Sequence, residues 1–275
     1  MKIYFATFTD DRYKPTREKA RRQAEEMGIF DKVFALSEHD FDAGFKDLFY
    51  KEHRDKMFAF GFYCWQPWTD MHVLDQMEDG DILFYSDAGN TLNPNGKKKF
   101  MEWVNLISTG EKDVLALRHS EFLECEYTKE DVFKYLEIDN NSDIRETGQY
   151  FLGALMIRKS PSSYDLIKKW FDINCNHFEI IDETMNYPND KRFKDFRYGQ
   201  SVISVMLKKY DGVVTLNYDN VFRPNKTIEG IEDAPFWAFR TKEITLRAKL
   251  VMLPKRIVNK ICRVFGLKTV YKLKI

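Results

Sequence analysis

The sequence predicts an α/β protein with a mostly parallel sheet and helices on both faces. Strand-like and helix-like segments alternate from the first residues onward. The strand-like segments are nearly continuous apolar runs, as in strands buried on both faces. The chain has 275 residues, of which 44% are hydrophobic and 15% aromatic. That composition excludes a disordered chain and suffices for one large core or two small ones.

Five segments rich in β-branched and aromatic residues predict buried strands. They cover residues 2–9, 32–36, 81–85, 113–117 and 150–157. Between them, helix-forming patterns cover residues 17–27, 66–77, 96–108, 160–172 and 199–209. Gly28 is well placed to end the first helix, and Pro67 lies in the first turn of the second. Thr128 predicts the N-cap of one further helix, because acidic residues follow it.

Ligands of such sheets bind beyond the carboxyl ends of the strands, here after Thr7, Tyr85 and Leu117. The strongest signal is the segment GDILFYSDAG at residues 80–89, in which an apolar strand leads to Asp87. The small residues that follow allow backbone to approach a ligand closely. One carboxylate together with substrate phosphates commonly holds Mg²⁺ or Mn²⁺. An ordinary strand-to-turn junction has a similar composition, so the alternative is a structural turn.

Two segments together carry a family resemblance: FGFYCWQPW at residues 60–68 and LFYSDAG at residues 83–89. They resemble the G-x-x-x-W-K-P segment and the L-Y-x-D-A-G strand end of bacterial GT-A-fold glycosyltransferases that build capsule, O-antigen or lipooligosaccharide chains. The resemblance runs from Met1 to about Asn220. Residues 146–159 are similar to the family's acceptor-side strand. FRYGQS at residues 196–201 lies where the family has R-H-D-Q-S.

The resemblance implies a GT-A fold, a nucleotide-sugar donor, foremost a UDP-sugar, and a glycan or lipid-linked acceptor. It also implies a divalent cation, Mn²⁺ or Mg²⁺, held by Asp87. The sequence departs from the family pattern at three places. Gly89 replaces the second acid of Asp-x-Asp, Gln66 replaces the Lys of W-K-P, and Tyr198 with Gly199 replaces His-Asp.

We expect donor-binding residues on the loops after the first and third strands, at the start of the second helix and before the last one. They are Thr7, Tyr13, Arg17, Trp65, Gln66, Ser86, Asp87, Ala88, Arg197 and Gln200. Lys14 is a further cation for the phosphates. Trp65 would form a wall beside the donor sugar, although a core Trp at a helix start fits its pattern equally.

Three carboxylates are candidates for the catalytic base, with Glu146 first and Asp182 and Glu183 as alternatives. A solvated loop carboxylate is the competing interpretation of Glu146. His119 and Gln149 are the expected acceptor contacts, and a structural role is the alternative for His119.

The chain carries no net charge, but residues 236–275 hold eleven Lys or Arg side chains and one acid, Glu243. We therefore predict a catalytic domain over residues 1–235 and a basic tail over residues 236–275. The segment KRIVNKICRVFG at residues 255–266 predicts a basic amphipathic helix at an anionic membrane surface, or one docked on the acidic body.

The charge balance also argues against nucleic-acid binding, because the excess of basic residues is confined to the tail. Four scattered Cys residues indicate neither a zinc site nor a disulfide framework. The expected location is cytoplasmic, peripheral at the inner face of the membrane. The competing functions are a sugar nucleotidyltransferase and a catalytically inactive membrane-surface scaffold of the same fold.

Overall fold

The computed structural model describes residues 1–52, 54–56, 58–243 and 245. The strands are β1 (Ile3–Phe8), β2 (Lys32–Leu36), β3 (Ile82–Ser86), β4 (Thr91–Leu92), β5 (Val114–Leu123), β6 (Gly148–Arg158), β7 (Val213–Asn217) and β8 (Phe236–Trp237). The helices are α1 (Lys14–Met27), α2 (Ala43–Lys51), α3 (Ala59–Phe62), α4 (Trp65–Leu74), α5 (Lys97–Ser108), α6 (Glu124–Tyr127), α7 (Glu130–Tyr135), α8 (Pro161–Asn176), α9 (Phe178–Ile181) and α10 (Gly199–Lys209).

The central sheet has the strand order β2-β1-β3-β6-β5-β7. β1 is parallel to β2 and β3, and β5 is parallel to β7. β6 is antiparallel to both of its neighbours, β3 and β5. The predicted α/β class with a mostly parallel sheet is therefore confirmed, with β6 reversed in its middle.

Helices cover both faces of the sheet, as predicted. Alternate side chains of β1 enter opposite hydrophobic clusters, Tyr4 on one side and Phe5 on the other. The Tyr4 side packs against α4, α8 and α10. The Phe5 side packs against α1 and α5. Burial on both faces explains the continuous apolar runs that predicted these strands.

Most element boundaries lie within a few residues of the prediction. α1 begins at Lys14 and ends at Met27, and the residue that caps it, Gly28, has a left-handed backbone with φ 59°. The N-cap expected at Thr128 is wrong, because the next helix follows Lys129 and begins at Glu130. The Thr128 hydroxyl donates instead to the buried carboxylate of Glu124. The hydroxyl therefore stabilises a buried carboxylate and does not cap α7.

One strand and one helix, β7 and α2, were not predicted from the sequence. β7 is an edge strand whose residues are mostly half-buried or exposed, so it lacks the apolar run of the inner strands. α2 begins after Asp42, whose side chain accepts a hydrogen bond from the backbone of Phe45 at 2.8 Å. The other Asp42 oxygen accepts from the indole of Trp68 at 2.8 Å, which ties α2 to α4.

The beginning of the expected basic tail packs on the domain. β8 pairs antiparallel with β4, so the boundary expected after residue 235 falls beside a strand ladder of the fold. The amphipathic pattern at residues 255–266 lies outside the described residues. Within the described part of the chain, no helix has the length and apolarity needed to cross a bilayer.

Candidate active site

The candidate site lies where the carboxyl ends of β1, β3 and β5 meet the amino end of β6. Asp87 is the first residue after β3, and its backbone N–H donates to the Gly153 carbonyl at 2.9 Å. The Tyr85 hydroxyl donates to the Asp87 carboxylate at 3.0 Å. The carboxylate is thus fixed at the position where α/β sheets bind ligands.

Gly153 makes room for this carboxylate. A Cβ atom at Gly153 would lie 3.0 Å from an Asp87 oxygen and 2.2 Å from the ring of Phe151. A larger residue would therefore displace either the carboxylate or the ring. Gly153 therefore belongs to the site. It was not identified from the sequence, in which the only signal was a glycine among the large apolar residues of β6.

A segment from beyond β8 crosses the mouth of the site, and we call residues 240–243 and 245 the strap. The Thr241 N–H donates to the Gly89 carbonyl at 2.8 Å. Thr16 and Glu243 exchange two hydrogen bonds of 2.7 Å. The Thr245 N–H donates to the Arg12 carbonyl at 2.9 Å. The strap therefore connects the end of β3 with the start of α1.

The strap brings two cations to the site. Burial raises the pKa of Asp87, while the Tyr85 hydrogen bond and the charges of Arg240 and Lys242 oppose that rise. The guanidinium of Arg240 lies 5.9 Å from the ring centre of Phe151. Both cationic residues are exposed. Neither has a carboxylate within ion-pair distance among the residues that the structure describes.

His119, an expected acceptor contact, lies at the wall of the site inside an aromatic cluster. Its ring is 4.0 Å from that of Tyr218 and 4.8 Å from that of Phe122. Burial and the charges of Arg197 and Arg240 lower the pKa of His119 to about 3. The imidazole is therefore neutral at physiological pH.

Arg197 lies beside this cluster, with its guanidinium 4.1 Å from the ring centre of Phe122 and 4.4 Å from that of Tyr127. Burial and the charge of Arg240 lower its pKa. Arg197 thus adds a third cation to the same side of the molecule as the strap.

Four predicted donor contacts point into the protein, three of them with contacts to other residues. Trp65 stacks on Phe8 with a centroid distance of 4.5 Å, and Thr7 is fully buried. The Gln66 amide donates to the Leu152 carbonyl at 2.9 Å, which joins α4 to β6. The Arg17 guanidinium donates to the Thr9 carbonyl at 2.7 Å, which holds the loop after β1.

The remaining donor candidates lie closer to the strap or to Asp87. Tyr13 is half-buried and lies 5.9 Å from the ammonium of Lys242, whereas Lys14 is exposed. Ser86 and Ala88 are buried on either side of Asp87 in the chain. Because their side chains are buried, a ligand here would contact the backbone of these two residues and the Asp87 carboxylate.

Gln149 and Gln200 belong to an internal polar network. The Gln200 amide donates to Gln149 at 3.1 Å. The Gln149 amide donates to Glu124, Thr128 and Ser201 at 3.1, 2.9 and 3.0 Å. Because its donors are already used inside the protein, Gln149 has a structural role here.

The three catalytic carboxylate candidates are in different environments. Both oxygens of Glu146 accept from Arg192 at 2.8 Å on the surface, and this pairing lowers the pKa of Glu146. Asp182 accepts from the backbone and the hydroxyl of Thr184 at 2.8 and 2.9 Å. Glu183 accepts from the Tyr198 hydroxyl at 3.4 Å.

Glu183 lines an open pocket that also includes residues of α3 and α9. The pocket has a volume of about 350 Å³ and is lined by Phe62, Phe178, Asp182, Glu183 and Thr184. The ring of Tyr198 lies 6.4 Å from that of Tyr63. Tyr63 is close enough to Asp87 for that charge to contribute to its raised pKa, after burial. Two tyrosines thus separate the Glu183 pocket from Asp87.

The structure also explains the departure at Gly199. A Cβ atom there would lie 2.6 Å from the side-chain nitrogen of Asn174, which is fully buried. An Asp at this position would need that space. Position 199 therefore has no acid, in contrast to the resembled family.

The residues around Asp87 fit a divalent cation poorly. Such ions prefer several oxygen ligands, and here one carboxylate is hydrogen-bonded to a tyrosine and faces two cations. In the described ranges, one group of three possible ligands lies elsewhere, at Asp11, Glu38 and His39. Their ligand atoms all lie within 4.8 Å of one another.

Comparisons of the sequence with protein-family models and with curated proteins give no match. Solved structures do match. A glycosyltransferase involved in glycosylation of the major capsid of PBCV-1 is 11% identical over 92% of this chain and 100% of its own, with a TM-score of 0.51. Mouse xyloside xylosyltransferase 1 is 10% identical, over 88% and 95% of the two chains, with a TM-score of 0.47.

An active-site mutant of LgtC is 13% identical over 99% of this chain and 98% of its own, with a TM-score of 0.45. The match to the viral capsid glycosyltransferase and the strand order together show the mixed α/β fold of GT-A-type glycosyltransferases.

Proposed function

We propose that the protein transfers a sugar from a nucleotide-sugar donor, foremost a UDP-sugar, to a glycan or lipid-linked acceptor. The observation that carries the proposal is the position of Asp87. It follows a buried parallel strand, lies against Gly153 and faces the cations of the strap. The hydroxyl groups of a donor sugar can donate hydrogen bonds to the Asp87 carboxylate, and the negative diphosphate is attracted by the cations.

In the proposed reaction, the acceptor oxygen forms a bond to C1 of the donor sugar. The bond from C1 to the β-phosphate oxygen breaks, and its electron pair stays on the departing nucleoside diphosphate. That negative charge must be balanced in the transition state. We assign this task to Arg197, Arg240 and Lys242.

The proton of the acceptor hydroxyl requires a base. We assign it to Glu183, because this carboxylate lines an open pocket and is linked toward Asp87 through Tyr198 and Tyr63. Glu146 was expected first, but its two oxygens are held by Arg192. The Asp182 carboxylate is used by Thr184.

The biological setting we propose is synthesis of a bacterial surface polysaccharide. It rests on the family resemblance of residues 60–68 and 83–89. The eleven basic residues of segment 236–275 would attract the protein to an anionic membrane that carries a lipid-linked acceptor. Arg240 and Lys242 belong to that count, yet they lie at the proposed donor site.

The function is tested by incubating the protein with a panel of sugar nucleotides and measuring release of the nucleoside diphosphate. Slow hydrolysis of one donor without an acceptor supports a glycosyltransferase. Release of pyrophosphate from a nucleoside triphosphate and a sugar phosphate would instead indicate a nucleotidyltransferase. A scaffold would give neither product.

A further inference from the structure

The strap carries positive charge to a position that is fixed by hydrogen bonds at both of its ends. Thr241 is held by the Gly89 carbonyl on one side, and its hydroxyl accepts from the Lys19 ammonium at 3.1 Å. Glu243 is held by Thr16 on the other side. Arg240 and Lys242 flank Thr241, so their backbones have little freedom to move away from Asp87.

Gly89 explains how the strap reaches Asp87. A Cβ atom at Gly89 would lie 3.4 Å from the Arg240 Cα atom and from the Thr241 carbonyl oxygen. A methyl group fits that space, but a longer side chain would meet the backbone of the strap. Many GT-A enzymes resembled by this sequence have the second acid of Asp-x-Asp at this position. Here the position is covered by a cationic segment.

A metal site surrounds the ion with negatively charged ligands, whereas the charged neighbours of Asp87 are the cations Arg240 and Lys242. A divalent cation would have one carboxylate and would be repelled by Arg240 and Lys242. A diphosphate would be attracted by both residues and by Arg197. Arg is suited to this task, because its planar guanidinium donates two parallel hydrogen bonds to phosphate oxygens.

We infer that Arg240 and Lys242 bind the donor diphosphate and balance its charge in place of a divalent cation. This inference rests on the proposed function and names the residues that carry out one part of it. When C1 leaves the β-phosphate oxygen, the electron pair remains on the diphosphate next to these two side chains. Asp87 accepts hydrogen bonds from donor hydroxyl groups, and the Thr241 to Gly89 hydrogen bond keeps Arg240 beside it.

The test measures nucleotide binding, so it does not depend on turnover. The full-length protein is titrated calorimetrically with UDP, and in parallel with GDP, ADP, CDP and dTDP, in EDTA and then in Mn²⁺. The variants are Arg240→Gln, Lys242→Gln and Arg240→Lys. The control is Arg22→Gln, which removes the same charge from an exposed position on α1.

We expect the wild type to bind at least one of these nucleotides in EDTA, with less than about a threefold change on adding Mn²⁺. Arg240→Gln and Lys242→Gln should each weaken binding about tenfold or more, since each loses a charge-assisted hydrogen bond. Arg240→Lys should retain part of the affinity, and Arg22→Gln all of it. Binding of the wild type should weaken as salt increases.

Two results would overturn the inference and leave the proposed function standing. One is binding that requires Mn²⁺, and the other is binding in EDTA that the Arg240 and Lys242 variants leave intact. If no nucleotide binds with or without Mn²⁺, both the inference and the proposed function are wrong.

Discussion

Glu183 is the residue whose role changed most between the sequence and the structure. Its carboxylate accepts a hydrogen bond from Tyr198 and lines the pocket beside Tyr63 and Phe62. Glu146, in contrast, forms a bidentate pair with Arg192 that favours its ionised, weakly basic form. A base must lie within hydrogen-bond reach of the acceptor hydroxyl, and the open pocket gives an acceptor a route to Glu183.

We predict that Glu183→Gln lowers sugar transfer at least about a hundredfold, because it removes a general base while preserving size. Donor binding should be unchanged. Glu146→Gln is the matched control and should have near-normal transfer. The measurement is steady-state transfer to an acceptor together with donor affinity.

A damaging Glu146→Gln combined with a silent Glu183→Gln would contradict this assignment. If neither variant nor Asp182→Asn affects transfer, either the base is another residue or no protein base is required, and the anomeric configuration of the product separates the two cases. Without a protein base, the departing phosphate oxygen takes the proton and the configuration is retained, whereas inversion would indicate another base.

His119 gives a prediction about stability and pH. Burial lowers its pKa to about 3 in the folded protein, whereas an unfolded chain has a value near 6.5. Below pH 6.5 the unfolded state therefore binds a proton that the folded state does not. The contribution of His119 to stability is constant above that pH and is lost as the pH falls toward 3.

We expect the free energy of unfolding of the wild type to fall by about 2 kcal/mol more than that of His119→Phe between pH 7 and pH 5. Phe preserves the ring contacts with Tyr218 and Phe122 and cannot be protonated. Urea unfolding at the two pH values measures the difference. Parallel losses in the two proteins would show that His119 is protonated in the folded state.

At the scale of elements, the end of α1 was predicted from one residue. Gly28 adopts a left-handed conformation with φ 59°, and the atom nearest to a Cβ added there would be the Lys97 ammonium nitrogen at 4.0 Å. Space is therefore available, and only the backbone conformation opposes a side chain. Gly44 in α2 has an ordinary helical conformation, and a Cβ there would meet the Asp42 carboxylate at 3.4 Å.

These two glycines form a matched pair. We predict that Gly28→Ala destabilises the protein by about 1 kcal/mol, the cost of a left-handed L-residue. Gly44→Ala should be neutral or slightly stabilising, because Ala favours the helix. Thermal and urea unfolding of both variants would check the sign of each effect. A neutral Gly28→Ala would show that the end of α1 rearranges.

Elements with local sequence signals were predicted well, and those that depend on distant contacts were not. The inner strands are apolar runs because both faces are buried, so their composition identifies them. β6 has the same composition, but its reversed direction follows from which strands it pairs with. β7 is recognisable only as a partner of β5, because its own residues are mostly exposed or half-buried.

At the scale of the whole molecule, the fold and the Asp87 strand end could be predicted from the sequence. Arg197 was also predicted, but the other two cations of the site were not. Arg240 and Lys242 belong to a basic stretch whose composition suggests a membrane surface, and their position depends on a hydrogen bond between residues 89 and 241. No local pattern reports a contact between residues so far apart in the chain. Gly153 and Tyr63 likewise contribute through tertiary packing.

The central claim is that the sheet edge around Asp87 turns over a sugar nucleotide. The most direct measurement compares nucleoside diphosphate release by the wild type, Asp87→Asn and the exposed control Asp47→Asn across the donor panel. We predict that the wild type and Asp47→Asn hydrolyse the same donor at equal rates. Asp87→Asn should be slower by about a hundredfold with an unchanged melting temperature. Full activity in a folded Asp87→Asn protein, or no release from any donor by the wild type, would contradict the account.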